Sequence, residues 1–122
     1  MKYTVEDVEK IYEESCRIKL ETLLNGDYKK GNREGKKLIK IYKMMEQNIE
    51  WGHRCIDQLI CNDHIEVKAE MAGYCLALGY RVDDAVSLLE KIASDSSNGI
   101  LGFNAKMTLK VWREKGYLKL YQ

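Results

Sequence analysis

Asn98-Gly-Ile-Leu-Gly-Phe-Asn-Ala-Lys-Met-Thr-Leu-Lys-Val-Trp-Arg-Glu-Lys-Gly116 carries, in altered form, a helix already present 36 residues earlier, because Val67-Lys-Ala-Glu-Met-Ala72 aligns with Phe103-Asn-Ala-Lys-Met-Thr108. The helices before these two also align, at an offset of 33, with Cys55, Ile56, Leu59 and Ile60 falling on Leu88, Leu89, Ile92 and Ala93. A helix pair that recurs every few tens of residues marks an α-solenoid, whose units bury their apolar faces only by stacking. The expected fold is all-α, a short α-solenoid of about six helices stacked as antiparallel pairs. Such folds commonly act by binding.

The chain upstream agrees. Thr4 stands before Glu6 and Asp7, an N-cap with acids in the first turn, where they complement the helix dipole. Apolar residues then keep to steps of three and four as far as Leu24, and Asn25-Gly26 supplies a left-handed stop. A second helix is expected over residues 28–46, weakened by Gly31 and Gly35 and restored by Leu38-Ile-Lys-Ile-Tyr-Lys-Met-Met45. Further helices are expected over residues 49–61, 64–78, 82–93 and 102–115, with Ser94-Asp-Ser-Ser-Asn-Gly99 as a loop. Tyr117-Leu-Lys-Leu-Tyr121 alternates like a strand but has no partner strand, so it is expected to pack as a cap. One domain over residues 1–122 follows, with helix pairs in 1–47, 48–79 and 80–116 and a tail in 117–122. Ala69, Ala72, Gly73 and Ala105 suit close helix approaches, and Leu76, Leu88, Leu89, Leu109 and Trp112 suit the core.

Twenty Lys and Arg face 19 Asp and Glu, so the total charge drives the chain towards neither nucleic acid nor an anionic membrane. The distribution is polar: net −3 over residues 1–27, +6 over 28–43, −6 over 44–104 and +4 over 105–122. Cys16, Cys55, Cys61 and Cys75 form no CxxC pair and interleave with apolar helical positions, so they read as small core hydrophobes. Reduced thiols, the absence of a leader pattern and the absence of a long apolar run point to a cytoplasmic protein that does not enter a membrane.

Glu21-Thr22, Gly26-Asp27-Tyr28-Lys29, Asn32, Leu38-Ile-Lys-Ile-Tyr42, Asp63 with Val67-Lys68, and the ending Leu101 to Gly116 resemble a small bacterial family of HEAT-like all-helical domains of unknown function. The resemblance covers residues 15–117, and its ending is the most specific part. It implies a HEAT-like solenoid in a bacterial cytosolic protein, and members of such families look like immunity proteins of toxin systems. It carries no active site. Where the family tends to show an Arg and paired alanines after the repeat valine, this chain has Lys68, Ala69, Glu70, Met71 and Ala72, a departure that leaves the repeat fold intact.

Chemistry-bearing residues are few. His53, Cys55, Cys61 and His64 are of zinc-ligand type, but His53 and Cys55 point about 200° apart on a helix, so no metal site is expected. Cys16, Cys55 and Cys75 lie mid-helix with apolar neighbours, which suits a structural role rather than an activated thiol, and Asp83 and Asp84 diverge around a helix start. No catalytic residue and no cofactor is nominated, and the chain reads as a non-enzyme.

Two surfaces remain. The acidic set Glu50, Asp57, Glu66, Glu70, Asp83, Asp84 and Glu90, with Trp51 beside a helix start, suits a cationic protein partner such as the cleft of a cognate toxin, which opposite fields would steer into place. Trp51 is better placed for exposure than Trp112, although burial is expected for both. The alternative is a nucleic-acid interface on Lys29, Arg33, Lys36, Lys37, Lys40 and Lys43, whose ordinary counterpart is a solvated face paired with the acidic first helix. The neutral total charge and the lack of interleaved aromatics favour the protein partner.

Overall fold

The structure, a computed structural model, describes residues 3–121. Met1 and Lys2 of the N-terminal pair and Gln122 of the tail lie outside the described residues. The elements are α1 (Val5–Asn25), α2 (Tyr28–Gln47), α3 (Ile49–Leu59), α4 (Ile65–Leu78), α5 (Val82–Ser94), a 3-10 turn (Ser96–Asn98) and α6 (Ile100–Lys115), with no strand among the described residues. The chain is all-α. It divides into two compact units, one up to Val67 and one from Lys68, with the division inside α4.

In the first unit, α1 begins with a reciprocal cap: the Asp7 N–H donates to Thr4 Oγ1 (3.1 Å) and the Thr4 N–H to the Asp7 carboxylate (3.0 Å). It ends where Gly26 turns left-handed (φ 82°) and donates its N–H to the Thr22 carbonyl (2.9 Å), a conformation that suits a residue without Cβ. Asp27 then caps α2, accepting the Lys30 N–H at 3.2 Å. The pairs 12 with 38, 15 with 34 and 22 with 31 run in opposite directions along the two helices, so α1 and α2 are antiparallel. Val8, Tyr12 and Cys16 of α1 are buried, as are Leu38, Ile41, Tyr42 and Met45 of α2. From α3, which packs against both helices, Trp51, Cys55, Ile56 and Leu59 are buried.

A polar pair is sealed into the α1–α2 seam. Glu34 is buried and accepts the Ser15 hydroxyl (2.8 Å) and the Lys37 ammonium (3.2 Å). Burial alone would raise its pKa, but these hydrogen bonds and the charges of Lys37 and Arg33 hold the carboxyl below its ordinary value. Because the folded pKa lies below the unfolded one, the stabilisation from Glu34 is whole above the ordinary glutamate value and fades as pH falls through the lowered one. Glu34→Gln should therefore cost about 1.5 kcal/mol at neutral pH and flatten the acid limb of the stability profile. Urea titrations between pH 3 and 7 check this, and parallel limbs for variant and wild type would refute it.

In the second unit, α5 and α6 form an antiparallel pair joined by the 3-10 turn, which Asp95 caps by accepting the Ser97 N–H at 3.0 Å. The Ser97 hydroxyl and N–H hold the Asp95 carboxyl below its ordinary pKa. Gly102 lets α6 approach α5 closely, since a Cβ there would lie 3.1 Å from the Ile92 carbonyl oxygen, which also accepts the Asn98 side-chain amide at 3.0 Å. Ala85, Leu89, Ile92, Ala105 and Leu109 are buried. Arg81 starts α5 from the left-handed region (φ 53°), which costs a residue with a Cβ about 1 kcal/mol, and its Nε donates to Asp84 at 3.0 Å. α4, which the division cuts, buries Val67 in the first unit and Met71, Ala72, Tyr74, Cys75 and Leu76 in the second.

Several expectations are corrected. Cys61 is exposed rather than core, because α3 ends at Leu59 and Cys61 lies in the turn beyond its last helical hydrogen bond, which Ile60 makes. Gly73 has open space at its Cβ position, whereas a Cβ at Gly31, Gly52 or Gly102 would come within 3.1 Å of a neighbouring atom. The order of the tryptophans is reversed: Trp51 is 7 % exposed with its indole N–H donated to the Tyr3 carbonyl (3.2 Å), whereas Trp112 is half-buried, as is Leu88. In the tail, Leu118 and Leu120 are half-buried while residues 117, 119 and 121 are exposed, without a strand.

Candidate functional site

All six cations of the α2 set, Lys29, Arg33, Lys36, Lys37, Lys40 and Lys43, are exposed. Lys37 is paired on its own helix with Glu34. Alongside this stripe, α1 and α2 leave a surface groove of ≈ 680 Å³ lined by Tyr3, Ile11, Lys37, Lys40, Ile41 and Met44, together with Gln47 and Asn48. The sequence showed the stripe but not the groove, because a groove needs two helices and their separation.

The acidic set is divided between the units. Glu50 and Asp57 are exposed, seven residues apart on α3, and Glu66 is half-buried, all within the first unit. The second unit carries Glu70, half-buried, with Asp83, Asp84 and Glu90 exposed. Local cations already hold two of them: Arg81 meets Asp84 at 3.0 Å and Arg113 meets Glu90 at 3.3 Å. Trp51, buried and internally hydrogen-bonded, borders a surface depression with Ile49, Glu50 and Arg54 rather than standing free as an anchor.

The zinc-type residues are dispersed. Cys55 is buried, and desolvation pushes its thiol up to about 11 against the opposing charge of Arg54, so it stays protonated at neutral pH. His53 is half-buried, Cys61 is exposed, and His64 Nε2 lies 3.9 Å from Glu13 Oε2. Among the described residues no three His, Cys, Asp or Glu side chains are grouped to hold a metal ion, and no helix is long and apolar enough to cross a membrane.

Two arrangements escaped the sequence reading. The first is a polar knot: Asn62, 6 % exposed, donates its amide to Glu9 Oε2 (3.0 Å) and Glu13 Oε2 (2.9 Å), while its Oδ1 accepts the His64 N–H (2.9 Å). In the sequence Asn62-Asp63 is only the short connection between two expected helices. The second arrangement lies on α6. The repeat puts Phe103 and Met107 at the positions of Val67 and Met71. Those two are wholly buried on α4, whereas Phe103 and Met107 are 59 % and 38 % exposed, in line with an exposed Ile100. The chain's one phenylalanine is thus left in solvent on a helix whose repeat counterpart is covered.

Fold and surfaces together define a class, an all-helical protein built from antiparallel helix pairs that leaves apolar and charged faces uncovered. Compared with protein-family models, with curated proteins and with solved structures, the chain matches none. The HEAT-like resemblance therefore rests on the quoted residues alone.

Proposed function

We propose that this chain is a non-enzymatic protein-binding module, in the particular form of an immunity protein that occludes a cognate bacterial toxin. The observation that carries the binding role is the unpartnered line Ile100, Phe103 and Met107 on α6. Aligned apolar side chains of this size on a helix surface lose water favourably when a partner covers them, and aromatic residues are enriched among interface anchors. The immunity form is supported by the resemblance of residues 15–117, whose most specific part contains this same helix. Occlusion would need an interface on the order of 1,200–2,000 Å² in total, of which the α6 line would form the apolar centre.

The test is affinity capture from a nuclease-treated lysate of the native host with tagged wild type and Phe103→Asp. Wild type is expected to retain one stoichiometric protein that the variant loses at unchanged helicity. That protein, expressed alone, should be toxic, and co-expression of this chain should relieve it. A partner held equally by Phe103→Asp would remove the α6 face from the proposal, and a harmless partner would remove the immunity form.

A second reading is supported by the exposure of the whole α2 cation stripe. Nucleic-acid binding there would weaken steeply with salt and be lost in Lys36→Glu/Lys37→Glu.

A further inference from the structure

We propose that the groove between α1 and α2 is a docking site for an acidic amphipathic segment of a partner protein. Its apolar floor is Ile11, Ile41 and Met44 with Tyr3, and two cations, Lys37 and Lys40, stand among them. Among the described residues no carboxylate lines it. Lys40 has no ion pair among the described residues. On the α1 side, Asp7 is turned back onto the Thr4 N–H at 3.0 Å. Arg33, Lys37, Lys40 and Met44 recur at steps of three and four, so cations and apolar floor follow one line of α2.

The combination selects the occupant. Lys37 and Lys40 of the groove continue into the exposed Lys36 and Arg33 on the preceding turn of α2, so a ligand with a single anionic head would meet only part of this charge. A nucleic-acid strand would match spread charge but not an aliphatic and thioether floor, which offers no aromatic stack beyond Tyr3. A peptide segment with carboxylates on one side and aliphatic side chains on the other satisfies both. From Lys37 to Gln47 the groove follows about 15 Å of α2, close to three turns, the length of a helical segment of about 11 residues.

The probe is a phage-displayed random peptide library of about that length, selected on the full chain at moderate salt. Selected peptides are expected to be acidic, with aliphatic residues at three- and four-residue spacing. Lys40→Glu and Met44→Gln should each weaken them by about tenfold, with Trp51 fluorescence unchanged. Phe103→Asp should leave them unaffected, which separates this site from the α6 face. Three results would overturn the proposal: no enrichment above background, enrichment of basic or uncharged sequences, or acidic peptides that bind Met44→Gln as tightly as wild type. Tight binding of an oligo-dT strand that Met44→Gln retains, with no peptide enriched, would assign the stripe to nucleic acid instead.

Discussion

Gly52→Ala should destabilise the first unit by about 2 kcal/mol even though alanine is the better helix former. A Cβ at Gly52 would sit 2.8 Å from the Met45 carbonyl oxygen, 2.9 Å from its Cβ and 3.1 Å from its Cα. Two of these atoms are backbone, so no rotamer change relieves the clash. Relief requires α3 to move away from the last turn of α2, which would loosen the packing of Trp51, Cys55 and Ile56. In a solvated helix the same change gains about 1 kcal/mol, so the steric cost has to exceed that gain for the sign to reverse. Gly35→Ala supplies the comparison, because its Cβ meets nothing within 4 Å on α2 and it should stabilise by roughly 0.5–1 kcal/mol. Urea unfolding followed through Trp51 in a Trp112→Phe background reads the first unit. A Gly52→Ala midpoint at or above that of wild type would show that the helices do not meet this closely.

Asn62→Asp is the second large effect, on the order of 3 kcal/mol at neutral pH. The substitution keeps the shape of the side chain and the acceptor for the His64 N–H. It removes the donor shared by Glu9 and Glu13 and turns a third carboxylate towards them at a site that is 6 % exposed. Burial and like charge would both raise the pKa of the new aspartate, so its penalty is present at neutral pH and shrinks as pH falls and the group protonates. Asn62→Ala loses the donor without adding charge and should cost less. Equal losses in the two variants, or an Asn62→Asp deficit that does not shrink between pH 7 and pH 4, would mean that the amide is not what reconciles the two glutamates.

Neither effect could be read from the sequence. Gly52 stands between Trp51 and His53 with nothing to separate it from Gly73, yet one lies against a backbone and the other faces open space. Asn62 carries turn chemistry whether or not glutamates from α1 reach it. Cys61 interleaves with apolar residues as Cys55 does, and only the end of α3 at Leu59 puts one thiol in solvent and the other in the core. The Trp51 and Trp112 assignments reversed for the same reason: a helical wheel gives direction, and burial depends on what occupies that direction.

What the sequence alone determined was local. Steps of three and four, the Thr4 and Asp27 caps and the glycines after α1 and α6 specify where the chain is helical, because these signals act within a turn or two of the residues that carry them. The α2 cation stripe was legible for the same reason, being one helix's own periodicity. Tertiary structure alone decided which repeat positions are covered. Val67 and Met71 are buried and their counterparts Phe103 and Met107 are not, although the residues are comparably apolar, because burial belongs to the space between elements and not to any one of them.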